Sequence, residues 1–287
     1  MLKPMNALYL QLYSIIRVIK QMSISRTSQA RATRLILSLT LAASVSACSL
    51  LSGDAAKKDE TEGLSADAIY QQAQTAVKST DYPRAIRLYE SLEARYPLGI
   101  HAQQAQLESA YAYYKYDEPD TALDRVDRFI RMNPSSKDMA YALYLRGLVN
   151  FNRGSSLVDR VFPRSIADLD IVRQKEAFHD FSRVINRYPD SPYAKDAQLR
   201  VQYLRNTLAE SEVNVAKYYM ERGAWLAAFN RAEYAIKHYQ GSPVVIDALE
   251  IKVKAAQQLG KSDLATDSLR VLEANFPERA AKLKAGK

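Results

Sequence analysis

Small and apolar residues return at fixed intervals from Leu64 to the C-terminus, and no run there alternates apolar and polar residues for the length of a strand. A pattern of that kind predicts helices rather than sheet. Proline-containing ends mark the register: "ARYP" at 94–97, "RMNP" at 131–134, "NRYP" at 186–189, a degenerate "KHYQ" at 237–240 and "ANFP" at 274–277. Consecutive ends lie 37, 55, 51 and 37 residues apart. Twelve residues before each end stands an alanine, Ala85, Ala122, Ala177, Ala228 or Ala265, and twelve further back stand Ala73, Ala110, Ala216 and Val253. In the third unit the second step is 30 residues and lands on Gly147. Five units share one frame, with Leu92, Phe129, Val184, Ala235 and Leu272 seven residues after each second-helix alanine.

Small residues at such points let two antiparallel helices approach closely. Turn residues lie where a hairpin needs them: "STDYP" at 79–83, "YDEPD" at 116–120, "RGA" at 222–224 and "GKSD" at 260–263. Paired helices, a terminal proline and a period of about 34 residues or a little more resemble the tetratricopeptide repeat. The fold class expected is all-α, a solenoid of five tetratricopeptide-like hairpins. The apolar positions seven residues on would pack one repeat against the next.

The two long intervals exceed 37 by 18 and by 14. In the third repeat the excess is "GSSLVDRVFPRSIADLDI", residues 154–171, which reads as a loop inserted between helices. In the fourth it falls between Pro192 and Arg222, a span without internal glycine or proline after its first residue. Fourteen residues are close to four helical turns, so a helix can lengthen there to about 30 residues, roughly 45 Å, without rotating its packing face. It should act as a rod between three N-terminal repeats and a C-terminal pair.

The N-terminus has a different pattern. Arg26, Arg31 and Arg34 precede an apolar run from Leu35 to Val45, followed by the small residues Ser46 and Ala47 and then Cys48, the single cysteine. Basic start, short apolar run and small-residue end make a secretory signal. Eleven residues are too few to cross a hydrocarbon core, which takes about 20 in a helix. Val45-Ser46-Ala47-Cys48 resembles a bacterial lipobox, in which the cysteine becomes diacylated, the signal is cut before it and the new terminus is acylated. Ser49 is not the aspartate that retains such lipoproteins in the inner membrane, so the resemblance implies the outer membrane. Residues 1–21 have no place in front of a complete signal, and translation is expected to start at Met22. The expected organisation is signal 1–47, lipidated flexible linker 48–64, repeats one to three 65–189, repeats four and five with the long connecting helix 190–277, and a basic tail 278–287.

Removing the signal changes the charge. Of 40 basic and 32 acidic residues, residues 1–47 hold six basic and no acidic ones, which leaves 34 against 32. The basic balance belongs to the signal, and with it goes the argument for nucleic acid. A chain of some 240 residues is long enough to bury a core without staples. An acylated Cys48 leaves no disulfide. His101, His179 and His238 are far apart, with no HExxH and no cysteine to complete a zinc set. "LGKS" at 259–262 looks like the tail of a phosphate-binding loop, but Ala255 stands where that loop needs glycine and the flanks read helix, turn, helix. No catalytic, metal or cofactor constellation is expected, and the reading is not an enzyme.

The first helix of repeat two, "HAQQAQLESAYAYYKY", holds Tyr111, Tyr113, Tyr114 and Tyr116. Four tyrosines within six residues sweep more than a full turn and cannot all face the core. Either some line an exposed groove, which suits an apolar ring with a polar tip, or they pack between repeats. "AYAYYK" (110–115), "DRFIRMNP" (127–134), "YLRGL" (144–148), "AFHDFSRVINRYP" (177–189) and "YYMERGAWLAAFNR" (218–231) resemble the BamD family of outer-membrane assembly lipoproteins. The likeness runs from about Leu64 to Pro277 and includes the lipobox.

The resemblance implies a lipoprotein anchored to the periplasmic face of the outer membrane. Its partners would be the periplasmic domain of the barrel protein BamA, other assembly lipoproteins and unfolded outer-membrane proteins, which it would help to fold and insert. It places partner docking on the C-terminal half, with Arg222, Trp225 and Arg231, and substrate recognition on the N-terminal repeats, with Tyr96, Tyr113 and Tyr114. Without it, the favoured reading is Trp225 as core and Arg231 as a solvated helix charge. A tethered scaffold for cell-wall or division machinery is the competing reading. Three segments stand apart from the pattern: Tyr239-Gln240-Gly241 lacks the proline of the other ends, the insert at 154–171 is the least matched, and the basic tail "ERAAKLKAGK" takes no assignment.

Overall fold

Eleven α-helices make up the secondary structure of the described residues, 59–152 and 170–286, in this computed structural model. They are α1 (Ala66–Lys78), α2 (Tyr82–Arg95), α3 (Ala102–Lys115), α4 (Pro119–Met132), α5 (Met139–Asn152), α6 (Ile171–Arg187), α7 (Ala194–Glu221), α8 (Trp225–His238), α9 (Val245–Gln258), α10 (Ser262–Asn275) and α11 (Pro277–Lys284). All lie in the unit Gly63–Lys287; Met1–Glu62 is a second unit. The signal, Met22, Cys48, most of the linker and nearly all of the 154–171 insert lie outside the described residues.

Each helix packs on the next in the chain, while α7 also meets α9 and α3 meets α5. Five hairpins result, α1/α2 through α9/α10, with α11 folded onto α10: the all-α repeat solenoid expected from the spacing. The reason is visible at the small residues. Ala73, Ala110, Ala216, Ala85, Ala122, Ala177 and Ala228 are fully buried where paired helices approach, as are Leu92, Phe129, Val184, Ala235 and Leu272 between repeats. Gly147 is the extreme case: a Cβ there would lie 2.7 Å from Cε1 of Phe181, so the Phe181 ring occupies the volume that alanine fills in repeats one, two and four.

Among the described residues, the turns within four of the hairpins share one geometry. A left-handed residue follows the first helix, Thr80 (φ 61°), Asp117 (φ 65°), Gly223 (φ 69°) or Gly260 (φ 67°). The next N–H then reaches back five residues, Asp81 to Ala76 (2.9 Å), Glu118 to Tyr113 (3.0 Å), Ala224 to Tyr219 (2.9 Å) and Lys261 to Ala256 (2.9 Å). This closing bond satisfies a carbonyl that the helix end leaves open. "LGKS" is such a turn. At the repeat ends, Tyr96, Asn133, Tyr188 and Phe276 leave the helical conformation, with φ of −128°, −129°, −133° and −141°, ahead of proline, which disfavours helix in the residue before it. Tyr239 adopts the same conformation (φ −125°) without the proline. Its carbonyl accepts from Ser242 at 3.2 Å, as that of Tyr188 does from Ser191 at 3.0 Å, and Gly241 supplies a positive φ of 81°.

The long helix α7 has 28 residues, about 42 Å at 1.5 Å per residue. Its first half buries Ala197 and Leu204 against α5 and α6, and its second half buries Val213 and Ala216 against α8 and α9. The C-terminal "ERAAKLK" belongs to α11, where Ala280 and Leu283 join the core of α9 and α10. Arg279 binds Glu250 (2.6 Å) and Asp247 (2.8 Å) of α9. The amphipathic tail thus covers the last repeat.

Candidate binding surfaces

Charged clasps join the helices at almost every step. Arg125 of α4 crosses to Glu90 and Glu93 (3.0 Å) of α2 and donates to Ser109 of α3 at 3.0 Å. Arg146 of α5 holds Asp127 of α4 (2.6 Å) and the buried Asp180 of α6. Burial raises the pKa of Asp180 and the Arg146 guanidinium opposes that rise. Tyr144 donates to Asp196 at 2.7 Å, and Arg200 binds the same carboxylate. Burial resists the charge on Asp196, but these two hydrogen bonds outweigh it and lower its pKa. Burial and the Asp196 hydrogen bond push Tyr144 up to about 12. Such pairs fix the stacking of repeats; half-buried and hydrogen-bonded, they are costly to break on one side only.

The substrate candidates sit inside this framework. Tyr96 is half-buried and donates to the Leu64 carbonyl at 2.8 Å, which ties the first repeat end to the start of α1. Tyr113 donates to Glu90 at 2.7 Å, with the Arg125 guanidinium 5.1 Å from its ring centre. Tyr114 accepts from Asn152 at 2.6 Å. Tyr111, Tyr113 and Tyr114 pack against the core of α3, α4 and α5, whereas Tyr116 is exposed. All three candidates are half-buried, with their hydroxyls engaged.

The docking candidates fall together around the α7–α8 turn and the helix that follows it. Arg222 is exposed, lies 5.1 Å from the ring centre of Tyr218 and has no carboxylate partner among the described residues. Trp225, the first residue of α8, is half-buried beside Gly223, and Leu226 next to it is 60% exposed. Arg231 differs: it is half-exposed and bound at 3.0 Å to the buried Glu212, whose other oxygen accepts from Lys175 at 3.0 Å. It therefore joins α8 to α7 and, through Glu212, to α6.

Sequence reasoning missed two features. Leu98 and Ile100 are 99% and 87% exposed on the segment between Tyr96 and His101. That segment is stapled to α1 by Tyr96 and by His101, which stacks on Tyr70 at 4.3 Å and meets Asp67 at 2.6 Å. Alternating aliphatics in "PLGIH" were the available signal. The second is Glu108, half-buried on α3 with no ion pair or hydrogen bond among the described residues; burial alone raises its pKa. It is the only acidic residue of α3, a helix made mostly of alanine, glutamine and tyrosine. Among the described residues no group of His, Cys, Asp and Glu is disposed to hold a metal ion, and no helix is long and apolar enough to cross a membrane.

A family model described as outer membrane lipoprotein, YfiO, matches residues 63–272. The outer membrane protein assembly factor BamD of Neisseria meningitidis serogroup A is 42% identical over 85% of this chain and 92% of its own length. Its counterpart in Neisseria gonorrhoeae is 43% identical over 85% and 92%, and that of Vibrio cholerae 38% identical over 80% and 95%. Among solved structures, the type IV pilus biogenesis factor PilW aligns with 76% of this chain and 97% of its own at 18% identity, with a TM-score of 0.36.

Proposed function

The chain belongs to the BamD family of outer membrane protein assembly factors, and from that premise we propose that it is a lipid-anchored periplasmic scaffold of the machinery that folds and inserts β-barrel proteins. Cys48 carries the acyl chains and Ser49 directs the lipoprotein to the outer membrane. The C-terminal repeats dock on the periplasmic domain of the barrel protein BamA, with further lipoproteins in the same assembly, and the N-terminal repeats take up unfolded outer-membrane proteins.

The observation that carries the docking reading is Arg222. It lies over Tyr218, beside Trp225 and the exposed Leu226, without a carboxylate partner among the described residues. Arginine and aromatic side chains grouped in this way are typical interface anchors. Arg231, engaged with Glu212, stands on the helix that follows the same turn. Tyr96, Tyr113 and Tyr114 contribute ring faces to the substrate surface and keep their hydroxyls for the fold. Binding of this kind requires no catalytic residue.

Affinity purification of the tagged chain from detergent-solubilised envelopes tests the reading. Recovery of a large β-barrel protein with tandem periplasmic domains is expected. Recovery of cell-wall or division proteins without that barrel would overturn it.

A further inference from the structure

Among the described residues, four loops that join one repeat to the next are built alike. In each, an N–H donates to the carbonyl three residues earlier: Gly99 to Tyr96 (2.9 Å), Ser136 to Asn133 (3.0 Å), Ser191 to Tyr188 (3.0 Å) and Ser242 to Tyr239 (3.2 Å). Their side chains differ. The two residues flanking that donor are Leu98 and Ile100 in the first loop, Ser135 and Lys137 in the second, Asp190 and Pro192 in the third, and Gly241 and Pro243 in the fourth. The turn thus forms without large aliphatic side chains, yet the first loop holds two, 99% and 87% exposed. Exposed Pro97 adjoins them, and Pro97 and Leu98 line a cavity of about 520 Å³ with Met132, itself exposed, and Arg128, whose Nε donates to the Met132 sulfur at 3.5 Å. Glu90 and Glu93, on the far side of that cavity, are taken up by Arg125.

The place of this loop in the fold points to what meets it. Tyr96 donates to the Leu64 carbonyl at 2.8 Å, and His101 meets Asp67 at 2.6 Å and stacks on Tyr70, so the loop is stapled to the start of α1, where the chain arrives from Cys48. Sixteen residues separate Cys48 from Leu64, a length of chain that reaches at most about 55 Å. The three polar loops lie one, two and three repeats further along the stack. Resting on the reading that Cys48 carries acyl chains, we infer that Leu98 and Ile100 enter the interfacial region of the phospholipid membrane that holds the anchor. There the two side chains leave water, while Arg128 lays its stem along Met132 and keeps its guanidinium at the level of the phosphate headgroups. Two aliphatic side chains carry fewer CH₂ groups than one acyl chain, which alone binds a membrane only marginally. The acyl chains therefore attach the molecule, and the loop fixes how the first repeat lies against the surface.

The test puts a diazirine-bearing amino acid in place of Leu98 in the full-length chain in intact cells and identifies by mass what light attaches to it. The side chain is exposed, so the probe leaves the fold undisturbed. A phospholipid adduct is expected, at least fivefold stronger than from the same probe at Leu264, which is exposed at the start of α10. Salt-washed membranes from the same cells report whether the chain is anchored. An anchored chain whose probe reacts only with water, or with lipid equally at the two positions, overturns the membrane contact and leaves the anchor standing. A polypeptide adduct in place of lipid overturns it also, and assigns the loop to a protein partner or a second copy of the chain. A chain recovered in the soluble fraction without a phospholipid adduct overturns both readings.

Discussion

Glu108 has a stability cost whose sign can be worked out. Burial raises its pKa in the folded protein above the ordinary glutamate value of about 4.3. Between those two values the folded state binds more protons than the unfolded one, so the contribution of this group to stability falls as pH rises through the window. Above the folded pKa the penalty is complete; below the unfolded value it is absent. Glu108→Gln should therefore raise the melting temperature at pH 7, and the gain should disappear near pH 4. Thermal melts of the two proteins at both pH values check this. Glu93 and Asp180 also have raised pKa values but keep Arg125 and Arg146 beside them, and both proteins share them, so the difference isolates Glu108. Equal melting temperatures at pH 7 would mean that the carboxylate is relieved by water.

At the scale of helices, the same alanine frame that sets the repeats makes one position intolerant of alanine. Gly147→Ala gains roughly 1 kcal/mol of helix propensity. It also drives a methyl group to within 2.7 Å of the Phe181 ring, and overpacking of a core costs about 1–3 kcal/mol. The second effect should win, lowering the melting temperature by a few degrees. In a Phe181→Leu background, where the ring is gone, the added cost of Gly147→Ala should shrink; an undiminished cost would place the strain in the backbone instead. The pairing of helices was legible in the sequence because small residues and prolines repeat in register from Ala73 to Pro277. The environment of the tyrosines was not. Tyr113 finds Glu90 and Tyr114 finds Asn152 across 23 and 38 residues of chain, distances at which periodicity along one helix carries no information. Glu108 was overlooked for the converse reason: its distinction is a missing partner, and a single chain of letters displays partners no better than their absence. Arg222 and Trp225 were selected through family likeness, and their grouping with Tyr218 and Leu226 emerged only from the geometry of the α7–α8 turn.

For the molecule as a whole, repeats that contact mainly their neighbours make distant functions separable. Membrane attachment, on the proposed reading, resides in Cys48 and partner docking in the α7–α8 surface, more than 170 residues away along the chain. Each buried CH₂ of an acyl chain contributes about 0.8 kcal/mol, so several chains hold the protein at a membrane through a salt wash that would strip an electrostatic contact. Cys48→Ala should thus move the protein from the salt-washed membrane fraction to the soluble fraction. Arg222→Glu should leave it in the membrane fraction yet sharply reduce the barrel protein recovered with it from detergent extracts. Because Arg222 is exposed and its contact within the chain is the Tyr218 ring, the substitution should change the melting temperature little. Fractionation of envelopes followed by affinity purification reads both effects on the same samples. If Cys48→Ala stays with washed membranes while Arg222→Glu leaves them, docking rather than lipid holds the chain in place. The order of dependence would then be inverted: the partner would recruit the scaffold, and the acyl chains would serve only to orient it.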